Sequence, residues 1–308
     1  MHVWWWAAFI GLIVVLLVID LGIFHRRAHE VSSREAGIWS VVWISLALGF
    51  NVFVYYEMGM EKATEFFTGY LIEKSLSVDN LFVFVLIFSY FNVPARYQHR
   101  ILFWGILGAL IMRASLIFLG IFLIERFSWI IYIFGAFLVY TGVRMAIEEE
   151  TTVEIEANPV IGILRRWFPV SDRYHDQHFF AREGGRTIVT PMLVVLLLIE
   201  STDLVFALDS IPAIFAVTKD PFIVYTSNIF AILGLRALYF LLANVINRFH
   251  LLKYGLAVVL AFIGAKMIVE HWYEIDTLVS LAVVATILTF SVAGSLIWPQ
   301  KEDVGEDE

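Results

Sequence analysis

Glu200-Ser201-Thr202-Asp203-Leu204-Val205-Phe206-Ala207-Leu208-Asp209-Ser210-Ile211-Pro212 places three carboxylates inside an apolar run extending from about residue 188 to 218. Glu73-Lys74-Ser75-Leu76-Ser77-Val78-Asp79-Asn80 places two more inside a run from about 69 to 91. Each run is long enough to cross a bilayer as a helix, which takes about 20 residues. Helices are the only open-chain solution in lipid, because every backbone N–H and C=O must be satisfied within the segment. An Asp at the centre of such a helix costs about 2.5–3.5 kcal/mol to insert. Several together, left unpaired, approach the whole stability of a domain, about 5–15 kcal/mol. They must be paired, protonated or bound to a cation, and must face the interior of a helical bundle.

Working outward, seven further segments have the same character. The nine run roughly 3–24, 37–56, 69–91, 101–124, 128–147, 188–218, 222–245, 252–270 and 276–298. The fold class is therefore an all-α polytopic membrane protein of about nine transmembrane helices. The composition agrees, with 60% hydrophobic and only 16% charged residues, against about 25% charged in a soluble domain. The start, Met1-His2-Val3-Trp4-Trp5-Trp6, lacks the basic residues of a cleavable signal and reads as a retained helix with a tryptophan belt. No cysteine is present, which excludes disulfides, thiolate metal sites and thiol catalysis. The charges lie in loops and tails rather than on one basic face, so nucleic acid is not an expected partner and the lipid bilayer is.

Loop charge sets the orientation. Arg26, Arg27, Arg34, Arg96, Arg100, Arg165, Arg166, Arg173, Arg182, Arg186, Arg248, Lys253 and Lys301 fall on one side, and Lys62, Arg126 and Lys219 on the other. The arginine-rich side reads as cytoplasmic, with the N-terminus outside and the C-terminus inside. The longest loop, residues 148–186, is then cytoplasmic, and its stretch from Pro159 to Pro169 suits either the membrane surface or an ordinary packed loop. The acidic tail from Lys301 to Glu308 reads as a solvated, disordered end.

Three features recur in order. Asp79-x-x-Phe82 matches Asp203-x-x-Phe206, Arg113-Ala114 matches Arg236-Ala237, and Tyr132…Gly142-Val143-Arg144-Met145 matches Tyr254…Gly264-Ala265-Lys266-Met267. Tyr132 to Gly142 and Tyr254 to Gly264 are both 10 residues. A unit of three helices reverses the direction of entry of its copy, so the pattern implies an inverted-topology repeat, with a substrate site near the midplane between copies. The expected division of this single transmembrane domain is 1–68 for two leading helices, 69–147 for the first repeat, 148–186 for the loop, 187–270 for the second repeat, 271–298 for the last helix and 299–308 for the tail.

The candidate ligands are oxygens: Glu73, Asp79, Asn80, Glu200, Asp203 and Asp209. None of the eight histidines lies deep in an apolar segment, and hard oxygen ligands suit Mg²⁺, Ca²⁺ and Mn²⁺. His175-Asp176-Gln177-His178 reads as a solvated loop rather than a soft-metal site. Glu73 and Asn80 share a helix face, as do Glu200, Asp203 and Ser210, whereas Asp79 and Asp209 lie off those faces in an ideal helix. Local unwinding near Ser77 and Pro212 would bring them inward, which predicts breaks in the third and sixth segments. Arg113 and Arg236 are the natural counter-ions, either exchanging partners with a bound cation or fixing the bundle. Crowded carboxylates titrate together, so cation entry coupled to proton release is physically reasonable. Enzymatic readings fare poorly, since the Gly-x-Gly-Asp of an intramembrane aspartyl protease and a buried histidine are both missing. An exporter of an organic cation or amino acid and a non-transporting assembly scaffold remain open.

The two acidic motifs, extended by Asn228-Ile229-Phe230-Ala231-Ile232-Leu233-Gly234-Leu235-Arg236, resemble those of the TerC family of integral membrane proteins, and the length and helix count those of its Alx-type manganese exporters. The likeness covers roughly residues 30 to 270. It implies export of Mn²⁺ across a bacterial inner membrane, with Mn²⁺ as the transported substrate and no permanently bound cofactor. Glu73, Asp79, Glu200, Asp203 and Asp209 are the implied ligands. Some members of the family are linked instead to tellurite resistance or membrane-protein assembly.

Overall fold

The computed structural model describes residues 3–22, 32–147, 162, 166, 168–171, 173–176, 178–183, 186–243, 249, 251–270, 272–273 and 275–298. Its helices are α1 (Val3–Gly22), α2 (Ser33–Tyr90), α3 (Ala95–Arg126), α4 (Ile130–Ile147), α5 (Pro191–Phe215), α6 (Pro221–Leu233), α7 (Leu235–Leu242), α8 (Leu252–Val269) and α9 (Thr277–Ile297). Among the described residues seven helices are long and apolar enough to cross a membrane, with α6 and α7 counted as one, and α1 adds the shorter apolar stretch Trp4–Ile19. The bundle is apolar outside, and its largely apolar core encloses a small set of polar and charged side chains. Ile111, Phe122, Val205, Val258 and Phe290 are exposed, while Glu73, Asn80, Arg113, Asp203 and Asn228 are buried. So apolar an exterior suits a hydrocarbon surround, and the chain is an all-α polytopic membrane protein.

The 58-residue α2 holds the predicted second and third segments, and it is not straight. Gly59, at φ 89°, is the one non-helical residue inside it, and its left-handed φ suits glycine alone. The Phe50 and Phe66 ring centroids are 5.4 Å apart. Sixteen residues of straight helix would separate them by about 24 Å. The chain therefore turns back on itself at Gly59 into two arms, 33–58 and 60–90. The stretch 57–68, which holds Glu57, Glu61, Lys62 and Glu65, fell between the expected segments 37–56 and 69–91. It is helical on both sides of Gly59, since charge removes hydrophobicity without removing helix propensity.

Two further expectations are corrected. The third and sixth segments are not broken: α2 is helical from 60 to 90, and α5 continues through Pro212. The break falls instead in the seventh segment, at Gly234 between α6 and α7. The long loop before α5 is also not wholly irregular. Strands β1 (Phe180–Glu183) and β2 (Arg186–Val189) pair antiparallel, with Phe180 opposite Val189 and Glu183 opposite Arg186. Gly184-Gly185 between two short β-prone runs was the hairpin signal. The acidic tail and most of the segment 148–167 lie outside the described residues.

Packing fixes helix direction. Cβ atoms added at Gly105 and Gly120 of α3 would touch Ile199 and Phe215 of α5, so these two helices run parallel. Gly69 approaches Ser227 and Lys74 approaches Gly234, so the second arm of α2 runs parallel to α6 and α7. α4 and α8 run antiparallel and meet backbone to backbone. A Cβ at Gly142 would stand 2.6 Å from the Ala257 carbonyl oxygen and 2.9 Å from the Ala261 nitrogen. A Cβ at Gly264 would stand 2.5 Å from the Gly135 carbonyl oxygen and 2.8 Å from the Val139 nitrogen. Gly142 and Gly264 are 122 residues apart, as are Gly135 and Ala257, and Val139 and Ala261. The same pair of contacts is made twice with its partners exchanged.

Candidate functional site

A carboxylate buried in a bundle that faces lipid is stabilised by a cation, and the structure supplies one from a neighbouring helix. Arg113, in the middle of α3, is almost completely buried. Its Nη1 pairs with Glu73 Oε1 of α2. Its Nη2 donates to Asp203 Oδ1 of α5 at 2.8 Å, and its Nε donates to Oδ2 of the same carboxylate at 3.1 Å. The fork on Asp203 is bidentate, the geometry in which arginine binds a carboxylate most strongly. Two more oxygens face Nη1: Ser210 Oγ at 3.4 Å and Asn228 Oδ1 of α6 at 3.5 Å. Asn228 Nδ2 donates to Glu73 Oε2 at 3.0 Å. Four helices thus meet on one buried guanidinium.

At this centre one guanidinium faces two carboxylates. A divalent cation would balance the same pair. The oxygens here are two carboxylates, one amide and one hydroxyl, the hard set that oxygen-loving divalent ions take. Among the described residues, no three His, Cys, Asp or Glu side chains lie close enough to hold a metal by themselves. The arginine occupies the position between the two carboxylates.

The other expected site residues are distributed around this centre. Asn80 is buried, and its Oδ1 accepts no hydrogen bond from the described residues. Glu200 is half-buried against α3 where Gly108 leaves room, because a Cβ there would collide with its carboxylate, and Glu200 Oε2 is likewise without a donor among the described residues. Asp209 is half-buried on α5 and engages other groups. Asp79 lies in the helical second arm of α2, and its side chain is outside the described residues. Arg236 is buried in α7 and lines, with Asp203, a small cavity otherwise walled by apolar residues such as Phe84, Ile106 and Ile199. Arg113 bridges Glu73 and Asp203, and Arg236 engages groups of its own.

Three groups went unnoticed in the sequence. Asn228 is fully buried, and its signal was available: an amide in mid-membrane needs a partner as a carboxylate does. Lys74 Nζ donates to the Ala231 carbonyl at 3.2 Å. That carbonyl belongs to the last turn of α6, where carbonyls lack intrahelical donors. Lys74 therefore caps the break at Gly234. Toward the side bearing Lys62 and Lys219, Glu65 accepts from Lys62 Nζ at 2.7 Å and from Thr218 Oγ1 at 2.6 Å. This ties the second arm of α2 to the turn between α5 and α6, where Asp220 caps α6 by accepting from Phe222 N at 3.0 Å.

Residues 58–303 match the sequence profile described as "Integral membrane protein TerC family". An "Uncharacterized membrane protein STKORF319" of Myxococcus xanthus is 51% identical over 292 residues, covering 95% of this chain and 92% of that protein. A "Putative membrane-bound redox modulator Alx" of Escherichia coli (strain K12) is 50% identical over 295 residues, covering 93% of this chain and 92% of that protein. An "Uncharacterized membrane protein" of Rickettsia bellii is 42% identical over 292 residues, covering 95% of this chain and 97% of that protein. No solved structure matches the chain.

Proposed function

The chain belongs to the TerC family of integral membrane proteins, and from that premise we propose that it exports a divalent metal cation, Mn²⁺ first, by alternating access. The observation that carries this reading is the Arg113 centre, where Glu73 and Asp203 from the two halves of the bundle close on one buried cation. Moving a guanidinium aside leaves a dianionic oxygen cage whose charge a divalent ion neutralises. Hard oxygen donors with no histidine or thiolate favour Mn²⁺, Mg²⁺ or Ca²⁺ over zinc and copper. Asp79, Asn80, Glu200 and Asp209 would serve the ion on its way in or out, and the open acceptor oxygens of Asn80 and Glu200 suit that role.

The same reading includes the two three-helix repeats, 69–147 and 187–270. The exchanged contacts of Gly142 and Gly264 support a two-fold axis between α4 and α8. So does the reciprocal pairing of α3 with α5 and of the second arm of α2 with α6. Transport would rock one half against the other about the Arg113 centre. Proton antiport follows if cation entry displaces protons from the crowded carboxylates. The protein would sit in a bacterial inner membrane with its arginine-rich side in the cytoplasm.

The relatives' name points to redox modulation. This chain has no cysteine and hence no thiol couple of its own, and nothing in its geometry favours that reading over cation export. Replacing Asp203 or Asp79 with Ala should abolish Mn²⁺ efflux from cells while the protein still reaches the membrane. Normal efflux by correctly inserted variants would remove these residues from the site.

A further inference from the structure

A polar side chain inside a membrane bundle has two fates. It can return its hydrogen bond to its own helix, one turn back, and so cost nothing to its surroundings. Or it can reach another helix, where its position is fixed by something it must recognise. Most hydroxyls here take the first course. Ser75 bonds to the Leu71 carbonyl at 2.7 Å and Ser77 to the Glu73 carbonyl at 2.7 Å. Thr226 bonds to the Phe222 carbonyl and Ser227 to the Ile223 carbonyl, each at 2.7 Å. Asn228 follows directly in the same helix, is equally buried, and does not turn back. Its amide nitrogen reaches Glu73 of α2 and its amide oxygen faces Arg113 of α3. Ser210 likewise faces Arg113 from α5.

We infer that Asn228 and Ser210 are neutral-oxygen ligands of the transported cation, and that Asn228 sets the affinity and preference of the site among hard divalent ions. The inference rests on the cation-export reading and extends it to α6. Three oxygens from three helices, those of Glu73, Ser210 and Asn228, already surround one cationic atom, Nη1 of Arg113. An ion replacing that atom meets the same three. Asn228 is suited to a double task, since its nitrogen holds Glu73 in orientation while its oxygen is presented inward. An apolar residue at 228 would remove both. An amide oxygen also adds a ligand without adding charge, so the cage stays at two negative charges, matched to a divalent ion.

The test uses the full-length protein in liposomes, with Mn²⁺, Mg²⁺ and Ca²⁺ each supplied alone and flux read by an enclosed metal-sensitive dye. Asn228→Leu, of similar shape, should raise the half-saturating Mn²⁺ concentration about 10–100-fold, the range seen when a ligand-orienting partner is lost. It should also change the Mn²⁺ to Ca²⁺ preference. Asn228→Asp, which keeps an oxygen in place, should hold half-saturation closer to wild type than Asn228→Leu does. Ser210→Ala, the mildest change, should raise half-saturation by a smaller factor, and it keeps the test open if Asn228→Leu fails to fold. Variants that fold, lose only maximal rate and keep wild-type half-saturation and preference would make Asn228 and Ser210 structural and overturn the inference. A wild-type protein that moves none of the three ions would instead overturn the export reading on which it rests.

Discussion

Replacing Arg113 with Met removes the cation between two buried carboxylates while keeping an unbranched, flexible side chain. Glu73 and Asp203 are each nearly inaccessible, so neither can recover water. Breaking a buried ion pair by deleting one partner costs about 3–5 kcal/mol. Both carboxylates share one guanidinium, so the loss belongs to a single network and is not doubled. In a chain of this size the melting temperature should fall by about 5–8 °C. The variant also tests the surrogate role of the arginine. With the guanidinium gone, a divalent ion can enter the cage without competition. Mn²⁺ at about 100 times its dissociation constant would return about 2.7 kcal/mol, a large share of the loss. The assay is thermal unfolding of purified protein in detergent micelles, with and without Mn²⁺. The triple variant Glu73→Gln, Arg113→Met, Asp203→Asn is the control. It should recover stability, because the cage then holds no unpaired charge, and lose its response to Mn²⁺. The reasoning is refuted if Arg113→Met melts with wild type, or if Mn²⁺ stabilises it no more than it stabilises wild type.

Other outcomes follow from the same contacts. Leu introduced at Gly142 or at Gly264 should destabilise to a similar extent, by about 1–3 kcal/mol or more, because each drives into the backbone of the facing helix. Leu at Gly11 or Gly49, which face open space, should change stability by less than about 0.5 kcal/mol. Unfolding measurements on the four variants would expose any asymmetry between α4 and α8. Lys74→Met should cost about 1.5–3 kcal/mol, the worth of a hydrogen bond from a charged group. Its effect should be local, seen as faster amide hydrogen exchange around Gly234, Leu235 and Leu238, with the α4–α8 contact unchanged.

The sequence was legible where one strong physical cost acted alone. Length and hydropathy located the membrane segments, because a bilayer tolerates little else. The cost of a buried charge marked Glu73, Asp203 and Arg113 by their positions in apolar runs. It was misleading where two weak signals competed. Glu57, Glu61 and Lys62 fell in a gap between expected segments, although helix propensity held and a single glycine made the turn. Pro212 suggested a break in α5, yet the helix continues past it. The true break at Gly234 is stabilised by Lys74 from another helix, a contact that spacing along one chain cannot reveal. Asn228 carries no formal charge and so did not stand out, though a buried amide makes the same demand for a partner.

The central claim is that this protein moves a divalent cation through the cage of Glu73 and Asp203. It is tested most directly by Mn²⁺ flux across liposomes containing only the purified protein, measured with and without an opposing pH gradient. Wild type should move Mn²⁺ faster than protein-free liposomes and faster still with the gradient, and folded Glu73→Gln, Asp203→Asn protein should not exceed the protein-free rate. Folded wild type that moves no Mn²⁺, or a double variant that moves it undiminished, would contradict the account.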